Sequence, residues 1–561
     1  MTLRRQPWSI YSAAWLAVCA SVACTVHAQH RASSPELTAP IAVYLHEPAS
    51  AEPALSEDRA LHDLDQLARL KKSGLRVDYD LLDASVLAPS IVAPAGLAPA
   101  GPAAAWPNGP DRWIAQCRAA GIGPGLRFAA LALRPALSGG QSLPSFISAL
   151  ESWYGRGIRL FVFNGLDPLQ EPALAPNAAA LSDALTRFRG QNRGVVLLDI
   201  ESAPTDSAPE NHSSPNDPPS RPLNGNAPAF VLFSTSAPHP SHWPQPGIQR
   251  AIDVETDSQV RRVEQTGVAL AHIVSPPFTA GAPHLPRAWK SRFLLSMARG
   301  GRVHPLSGAL DSIQTADARW MASVERLFFA LQAKGQMRSF GASPFQDQPY
   351  GFAAATPRGA VYVVVNPSQA VATLSLPVLV PGRSSAPGRL LFRDAGFSPR
   401  LLANAITLGP GQLAAVGYGA YASASHALGA ELDVVIPTSI EPVDADFQLT
   451  APGVLEARID PPIQGVLRIV VRAGDDPSAV TPNPPPAHRF TFEVTQADRP
   501  IPLREPGPAA QDEDPSAAEP AWAIAEVDVN DLTPGIPLRV LVRTDENTAA
   551  ALQGGAYQVT Y

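Results

Sequence analysis

The sequence predicts a multidomain protein of α/β plus all-β class: a (β/α)8 TIM barrel followed by antiparallel β-sandwich domains. Its 561 residues are too many for a single hydrophobic core. From residue 41 to about residue 299, short apolar runs alternate with amphipathic helical segments, whereas from residue 350 onward the apolar period is two. Regular β-helix-β alternation indicates a parallel sheet, and about eight such units fit a closed barrel.

The barrel is expected at residues 38–345. Strands are predicted at 41–45, 77–82, 125–133, 158–163, 195–200, 230–233, 251–254, 268–274 and 293–296. Helices are predicted at 56–72, 113–120, 146–154 and 178–188, the first of them capped by Ser56. The strand candidates exceed the eight places of a barrel by one, so either 195–200 or 230–233 is predicted to be an excursion.

The rest of the chain is predicted to be β-rich, after an irregular stretch beyond Arg299 and a long helix at 315–334. A C-terminal β-domain is expected at 346–422, with strands at 361–365, 372–376, 389–392 and 413–417. A second β-sandwich domain is expected at 430–561, with strands at 454–459, 465–471, 489–494, 522–529, 538–542 and 557–561.

Charge and cysteine content exclude several classes of function. The chain has 43 Lys and Arg against 50 Asp and Glu, a net charge of −7 without a basic block, which argues against a nucleic-acid partner. The sequence has no metal-ligand spacing and no nucleotide-binding motif, so neither a metal nor a cofactor is expected. Cys117 is the one cysteine beyond residue 28, and its helical neighbourhood predicts a core position.

Residues 1–28 are expected to be a secretory signal peptide. Arg4 and Arg5 precede an apolar run at 13–22, and Val26-His27-Ala28 is a small-residue cleavage site. That run is short for a membrane span and no later segment is longer, so the mature chain is expected to be periplasmic or extracellular without a transmembrane span. The alternatives are an uncleaved anchor helix and a lipoprotein modified at Cys24.

Acidic residues follow several of the predicted strands, where the working residues of a barrel are found. They are Asp80, Asp83, Asp167, Asp199, Glu201, Asp253, Glu255 and Asp257. Glycoside hydrolysis needs two facing carboxyl groups, one to protonate the leaving oxygen and one to attack the sugar or activate water. The repetition at strand ends points to this chemistry, although each acid taken alone equally suits the capping of a helix.

Several segments resemble the α-galactosidase (melibiase) clan of glycoside hydrolases. They are Val77-Asp78-Tyr79-Asp80-Leu81-Leu82-Asp83, Trp106-Pro107-Asn108-Gly109-Pro110, the segment 156–164, Arg250-Ala251-Ile252-Asp253 and the segment 300–306. The resemblance covers roughly residues 41–420. It implies a sugar site in which Asp253 is the acid/base, Arg250 belongs to the same motif, and Asp83 binds sugar hydroxyls. Asp80, in the same strand-two segment, is a further substrate-binding candidate.

The chain departs from the clan at strand four, where the resemblance implies a nucleophilic aspartate and Asn164 stands instead. A carboxamide cannot be a carboxylate nucleophile, so any cleavage is expected to be inverting. Asp167 and Asp199 compete to act with Asp253 as the second catalytic carboxylate, while Asn164 remains a substrate-binding candidate.

Aromatic residues add a further binding candidate, because sugar rings stack on exposed aromatic faces. Trp243 lies in a polar, Pro-rich loop and is the best candidate for such a platform. Two hypotheses follow. The chain is either an exported glycoside hydrolase acting on an oligo- or polysaccharide, or a non-catalytic polysaccharide-binding or cell-envelope structural protein on a degenerate glycosidase barrel. Asn164 favours the second, and the remaining strand-end acids favour the first.

Overall fold

The computed structural model describes most of the chain. The described residues are 37, 39–46, 55–87, 106–129, 142–164, 178–202, 230–234, 270–274, 278–280, 289–334, 337–342, 348–368, 370–379, 387–474, 490–504, 522–544 and 551–561. Within these ranges, no helix is long and apolar enough to cross a membrane. The chain divides into two compact units, Met1–Thr38 with Leu81–Phe233 and Ala39–Asp80 with Ser234–Tyr561.

The α/β part comprises nine described strands and the helices among them. The strands are β1 (Ile41–Leu45), β2 (Tyr79–Asp83), β3 (Gly123–Ala129), β4 (Leu160–Asn164), β5 (Val196–Ser202), β6 (Phe230–Ser234), β7 (Ile273–Val274), β8 (Phe278–Ala280) and β9 (Val303–Gly308). The helices are α1 (Glu57–Lys72), α2 (Ala84–Leu87), α3 (Asp111–Ala120), α4 (Ser142–Arg156), α5 (Ala178–Gln191), α6 (Trp289–Ala298) and α7 (Thr315–Lys334).

In the unit that contains residues 81–233, the strands follow the order β2-β3-β4-β5-β6. The pairs β3–β4 and β4–β5 are parallel. Both the 195–200 and the 230–233 runs are strands of this sheet and are neighbours in it, so the prediction that one of them is an excursion is wrong. The predicted strand at 251–254 lies outside the described residues.

The side chains of this sheet point to two faces, and one of these faces packs against a helix. Phe128 and Phe163 are paired in register, and their rings pack against Phe146 of α4. We call this side the helix face. Residues one position along each strand point the other way. That second face carries Arg127 of β3, which pairs in register with Val162.

In the other unit, β9 lies between β1 and β8 and pairs in parallel with both. Helix α1 begins at its cap as predicted, since the Ser56 hydroxyl accepts a hydrogen bond from the amide of Arg59. At the start of β9, a Cβ on Gly301 would lie 2.4 Å from the carbonyl oxygen of Ile273, so a side chain there would clash.

Two predictions around residue 300 are wrong. The run at 293–296 is part of helix α6, because Phe293 and Met297 lie one helical turn apart and are both buried. A short apolar run does not by itself separate a strand from a buried helix. The stretch after Arg299, predicted to be irregular, contains strand β9, whose Pro305 weakens the strand signal yet pairs with Val43.

The remaining strands confirm that the rest of the chain is β-rich. They are β10 (Arg338–Gly341), β11 (Tyr350–Thr356), β12 (Gly359–Val365), β13 (Ala372–Ser375), β14 (Arg389–Gly396), β15 (Arg400–Leu402), β16 (Ala405–Leu408), β17 (Leu413–Gly419), β18 (Gly429–Ile436), β19 (Ser439–Val443), β20 (Ala445–Ala451), β21 (Val454–Ile459), β22 (Val466–Gly474), β23 (Phe490–Gln496), β24 (Arg499–Pro500), β25 (Trp522–Asp528), β26 (Leu538–Thr544) and β27 (Ala551–Thr560). Helix α7 has the predicted bounds.

These strands form four sheets. A six-stranded sheet has the order β10-β11-β12-β17-β14-β18, and a three-stranded sheet has the order β13-β16-β15. The sheets β19-β27-β22-β25 and β20-β21-β26-β23-β24 enclose a common apolar core that includes Leu467, Ile469, Val540 and Val542. Strand β18 pairs in parallel with β14, so residues 429–436 belong to the six-stranded sheet. The chain is therefore a mixed α/β protein with a parallel sheet and several antiparallel sheets.

Candidate functional site

Three polar side chains lie at the carboxyl ends of neighbouring strands on the second face: Asp83 of β2, Arg127 of β3 and Asn164 of β4. Nε of Arg127 lies 3.4 Å from Oδ2 of Asp83, and their side chains are 26 % and 24 % exposed. Asn164 is two positions beyond Val162, the register partner of Arg127, and therefore shares its face. We call Asp83, Arg127 and Asn164 the strand-end trio.

Within this trio, Asn164 is distinguished by its amide oxygen. Oδ1 of Asn164 is buried and has no hydrogen-bond partner among the described residues. A buried polar atom without a partner is costly, so native structures seldom leave one unless something else occupies the site. Asp83 and Asn164 therefore have the predicted strand-end positions, and the trio presents a carboxylate, a guanidinium and a carboxamide from adjacent strands.

Asp199 does not join the trio, although it was predicted as a catalytic carboxylate. It pairs in register with Phe163 on the helix face, whereas Asn164 pairs with Ile200. Asp199 is 4 % exposed. Successive side chains on a strand point to opposite faces of the sheet. Asp199, which is level with Phe163, therefore points away from the face that carries Asn164.

Asp80, which is predicted to bind substrate, does not point to the second face either. It lies three positions before Asp83 on β2, so the two side chains point to opposite sides of the strand. Asp80 is fully buried, and its Oδ1 lies 2.7 Å from Nε2 of His46. Asp80 therefore contacts His46 in the protein interior.

His46 also contacts helix α1, through Asp63. Nδ1 of His46 lies 3.3 Å from Oδ2 of Asp63, within ion-pair distance but not aligned as a hydrogen bond. The Tyr44 hydroxyl lies 3.0 Å from the carbonyl oxygen of Gly308 and 3.5 Å from Oδ2 of Asp63, so its proton is donated mainly to Gly308. We call Tyr44, His46, Asp63 and Asp80 the buried polar cluster.

The cluster has altered proton affinities. Burial alone lowers the pKa of His46, but the nearby Asp80 and Asp63 carboxylates outweigh it and raise this pKa to about 9. The imidazole is therefore protonated at neutral pH. Burial, with the same two carboxylates, raises the pKa of Tyr44 far above its usual range, so its hydroxyl remains a donor.

A second group of buried titratable residues lies between the sheet and helices α6 and α7. Burial raises the pKa of Glu325 to about 8, and its Oε2 accepts a 2.7 Å hydrogen bond from the amide of Arg76. Burial lowers the pKa of His304 to about 4, and its Nε2 lies 3.0 Å from Oε1 of Gln332. Glu325 and His304 both line an internal cavity against β1 and β9.

The remaining predicted site residues, Asp167, Asp253, Arg250 and Trp243, lie outside the described residues. Three other tryptophans of the α/β part are ruled out as exposed platforms because Trp106, Trp113 and Trp153 are at most 5 % exposed. Cys117 is buried, as predicted. In the described part of the chain, no group of three His, Cys, Asp or Glu side chains is arranged to hold a metal ion.

Sequence reasoning missed Arg127, His46 and Asp63. A signal for Arg127 exists, since it is the single charged residue in the run Gly123–Ala129, where burial would otherwise favour apolar residues. His46 directly follows β1, and Asp63 lies among the apolar positions of α1. Their pairing joins residues 17 positions apart, and no local pattern predicts it.

The chain matches no family model and no curated protein. Similar solved structures include the galactosidase domain of an α-galactosidase–sucrose kinase, with 10 % identity and a TM-score of 0.48, covering 70 % of this chain and 56 % of that one. α-Galactosidase I from Mortierella vinacea has 11 % identity and a TM-score of 0.47, with 69 % of this chain and 98 % of that chain covered.

An α-galactosidase from Geobacillus stearothermophilus is also similar, with 11 % identity, a TM-score of 0.44, and coverage of 67 % of this chain and 55 % of that one. The chain thus spans little more than half the length of two of these three structures. What this chain binds has to be inferred from its own residues.

Proposed function

We propose that this chain is a carbohydrate-active protein of the glycosidase type, which binds an oligo- or polysaccharide at the strand-end trio of a (β/α)8 barrel. Parallel pairing in both units supports the barrel, with β3-β4-β5 in one and β8-β9-β1 in the other. The segment just before β7 also lies beside β9, because the amide of Arg302 donates a 3.2 Å hydrogen bond to the carbonyl of Ala271. The carboxyl ends of barrel strands are where such folds bind ligands.

The composition of the trio carries the proposal. A sugar presents neighbouring hydroxyls that each donate and accept hydrogen bonds, and the trio offers a matching acceptor, donor and carboxamide. Asp83 accepts, Arg127 donates, and Asn164 supplies the buried Oδ1 that has no partner among the described residues. A hydroxyl donated to Asn164 Oδ1 would satisfy that atom. Specific polar groups of this kind fix the orientation of a ligand in a pocket.

Titration calorimetry tests the proposal with the galactosides raffinose and stachyose, which are bound in two of the similar α-galactosidase structures, after a glycan array has screened other sugars. We expect Asp83→Asn and Arg127→Met each to weaken sugar binding at least about tenfold, because each leaves polar groups without partners. Asp111→Asn is the matched control, since Asp111 pairs with Arg156 at 2.8 Å on the surface. Absence of binding to every glycan, or equal affinities of all three variants, would refute the proposal.

Hydrolysis is a second candidate function, and the position of Asn164 bears on it. Asp199 faces the helices and Asn164 holds no carboxylate, so Asp253 and Asp167 are the predicted catalytic carboxylates that remain. Inverting cleavage requires the two carboxyl groups roughly 6.5–9.5 Å apart, and retaining cleavage about 5–5.5 Å. The Asn164→Asp variant is expected to create or raise activity on aryl α-glycosides. Trapping of a covalent glycosyl-enzyme by the unaltered chain would show instead that another residue is the nucleophile.

We also propose that the chain is exported and cleaved near Ala28. The charged start, the apolar run and the small-residue site within residues 1–28 support this. Amino-terminal sequencing of the chain secreted from a bacterial host is expected to begin at residue 29. Recovery of the uncleaved chain in the membrane fraction would favour the anchor-helix alternative.

A further inference from the structure

The buried polar cluster joins three elements at the end of β1. His46 follows β1, Asp80 belongs to β2, and Asp63 belongs to α1. The side chains of His46, Asp63 and Asp80 are 2 %, 7 % and 0 % exposed. Water therefore cannot take the place of a lost partner for any of these three side chains. Tyr44 adds a fourth element through its hydrogen bond to Gly308 at the end of β9.

Only the protonated imidazole can serve both carboxylates. A neutral imidazole has a single N–H, so one ring nitrogen would present a lone pair to a buried carboxylate. With both nitrogens protonated, Nε2 donates to Asp80 at 2.7 Å and Nδ1 holds Asp63 as an ion pair at 3.3 Å. Loss of one proton therefore removes the positive charge between two buried carboxylates and turns a ring lone pair toward one of them, which is a costly arrangement in a protein interior.

Within the described ranges, the charged and titratable groups that face His46 come from α1, β1 and β2. Asp63 and Arg59 come from α1, and Nε of Arg59 lies 3.1 Å from Oδ1 of Asp63. Asp80 comes from β2, and Tyr44 comes from β1. Strand β9 contributes the Gly308 carbonyl. The Arg59 side chain is 48 % exposed, and its charge is therefore well screened by water. His46 is the buried cation of the cluster.

The two halves of α1 are held by different contacts. The first half is held by Asp63, by the Ser56 cap, by the exposed contact of His62 with Asp311 and by its buried apolar side chains. The second half is tied separately, because the guanidinium of Arg69 donates to the carbonyl oxygens of Ile313 and Leu310. Release of Asp63 would therefore loosen the first half of α1 and leave the second half in place.

We propose that His46, Asp63 and Asp80 form an alkaline-sensitive clamp, which holds the first half of α1 and the end of β1 together while the imidazole is protonated and opens when it loses that proton. The direction follows from linkage. His46 binds its proton more tightly in the closed chain, with a pKa of about 9, than in an opened one, with the ordinary 6.5. The clamp is therefore complete below about pH 6.5, weakens as the pH rises, and is lost once the pH passes about 9.

Hydrogen–deuterium exchange of the full chain between pH 6 and pH 10 tests the clamp. The opening constant is the measured exchange rate divided by the intrinsic rate at each pH, and it is compared for peptides from 41–46, 57–64 and 66–72. In the first two, it should rise roughly tenfold per pH unit between about 6.5 and 9 and then level off, whereas 66–72 should stay flat. A flat profile in 41–46 and 57–64 would overturn the proposal.

Variants separate the clamp from general alkaline loosening. His46→Gln keeps a donor for Asp80 but has no titrating charge, so its opening constant should be raised throughout and independent of pH. His62→Gln is the matched control, because His62 lies on the same helix and pairs with Asp311 at 3.0 Å on the surface, with both side chains at least half exposed. A pH-dependent rise that persists in His46→Gln, or that disappears in His62→Gln, would contradict the assignment to His46.

Discussion

The strand-end trio and the buried polar cluster use similar side chains in opposite environments. Asp83 and Arg127 of the trio are about one-quarter exposed, whereas His46 and Asp80 of the cluster are almost completely buried. A charge that is accessible to water loses little free energy when its protein partner leaves, so it can exchange that partner for a ligand. Charges in the interior must keep their partners, so they stabilise one arrangement of elements. Acidic residues only three positions apart on β2 thus serve different purposes.

The largest expected effect comes from removing a charge of the buried polar cluster. Asp80→Asn should lower the free energy of unfolding by about 3 kcal/mol or more, because it leaves the buried His46 cation with a single carboxylate. Urea denaturation at pH 7, followed for the transition that exposes β1 and α1, measures this. A loss below about 1 kcal/mol would show that the cluster resembles the exposed pairs in strength.

A smaller effect with a definite pH dependence is expected at Glu325. Its pKa is raised from 4.5 to about 8, so the folded chain keeps a proton that an unfolded chain has lost. The stability linked to this proton is complete below about pH 4.5 and is lost as the pH rises through about 8. Glu325→Gln imitates the protonated side chain. It should match the unaltered chain at pH 4.5 and exceed its stability at pH 9 by an amount on the order of 3 kcal/mol.

Thermal unfolding at several pH values between 4.5 and 9 checks this prediction. Glu441→Gln is a suitable control because Glu441 is exposed on β19. Equal pH profiles for Glu325→Gln and the unaltered chain would mean that the buried carboxyl is ionised in the folded state.

The strand-end trio is expected to matter little for stability. Asp83→Asn should change the free energy of unfolding by less than about 1 kcal/mol, because the Asp83–Arg127 contact is long and partly solvated. The same urea experiment measures it beside Asp80→Asn. A cost equal to that of Asp80→Asn would make Asp83 a structural residue and would weaken the case for a sugar site.

The smallest effect is expected at the surface pair of Asp111 and Arg156. Asp111 is 73 % exposed, so Asp111→Asn should alter stability by less than about 0.5 kcal/mol. Urea denaturation at low and at high salt provides the measurement. A larger, salt-sensitive loss would show that exposed ion pairs of this chain contribute more than usual, and the contrast with the buried polar cluster would narrow.

Much of the fold was predictable from apolar periodicity. Helix α7 and strand β21 have the predicted bounds, and the antiparallel sheets begin with β10, shortly before the change of pattern near residue 350. The errors occurred where the pattern is ambiguous. The run at 293–296 is too short to separate helix from strand, and Pro305 conceals β9 because proline removes an amide from the strand.

The sequence by itself determined most of the segments that become strands and helices, and it placed Asp83 and Asn164 at strand ends. The tertiary structure alone decided which acids share a face. Asp80 and Asp199 also lie on strands of the sheet, yet they point to the opposite side, since a step of one residue reverses a side chain's direction. It also decided the pairing of His46 with Asp63 and Asp80, because contacts between elements depend on how the elements pack, and local sequence patterns do not encode that.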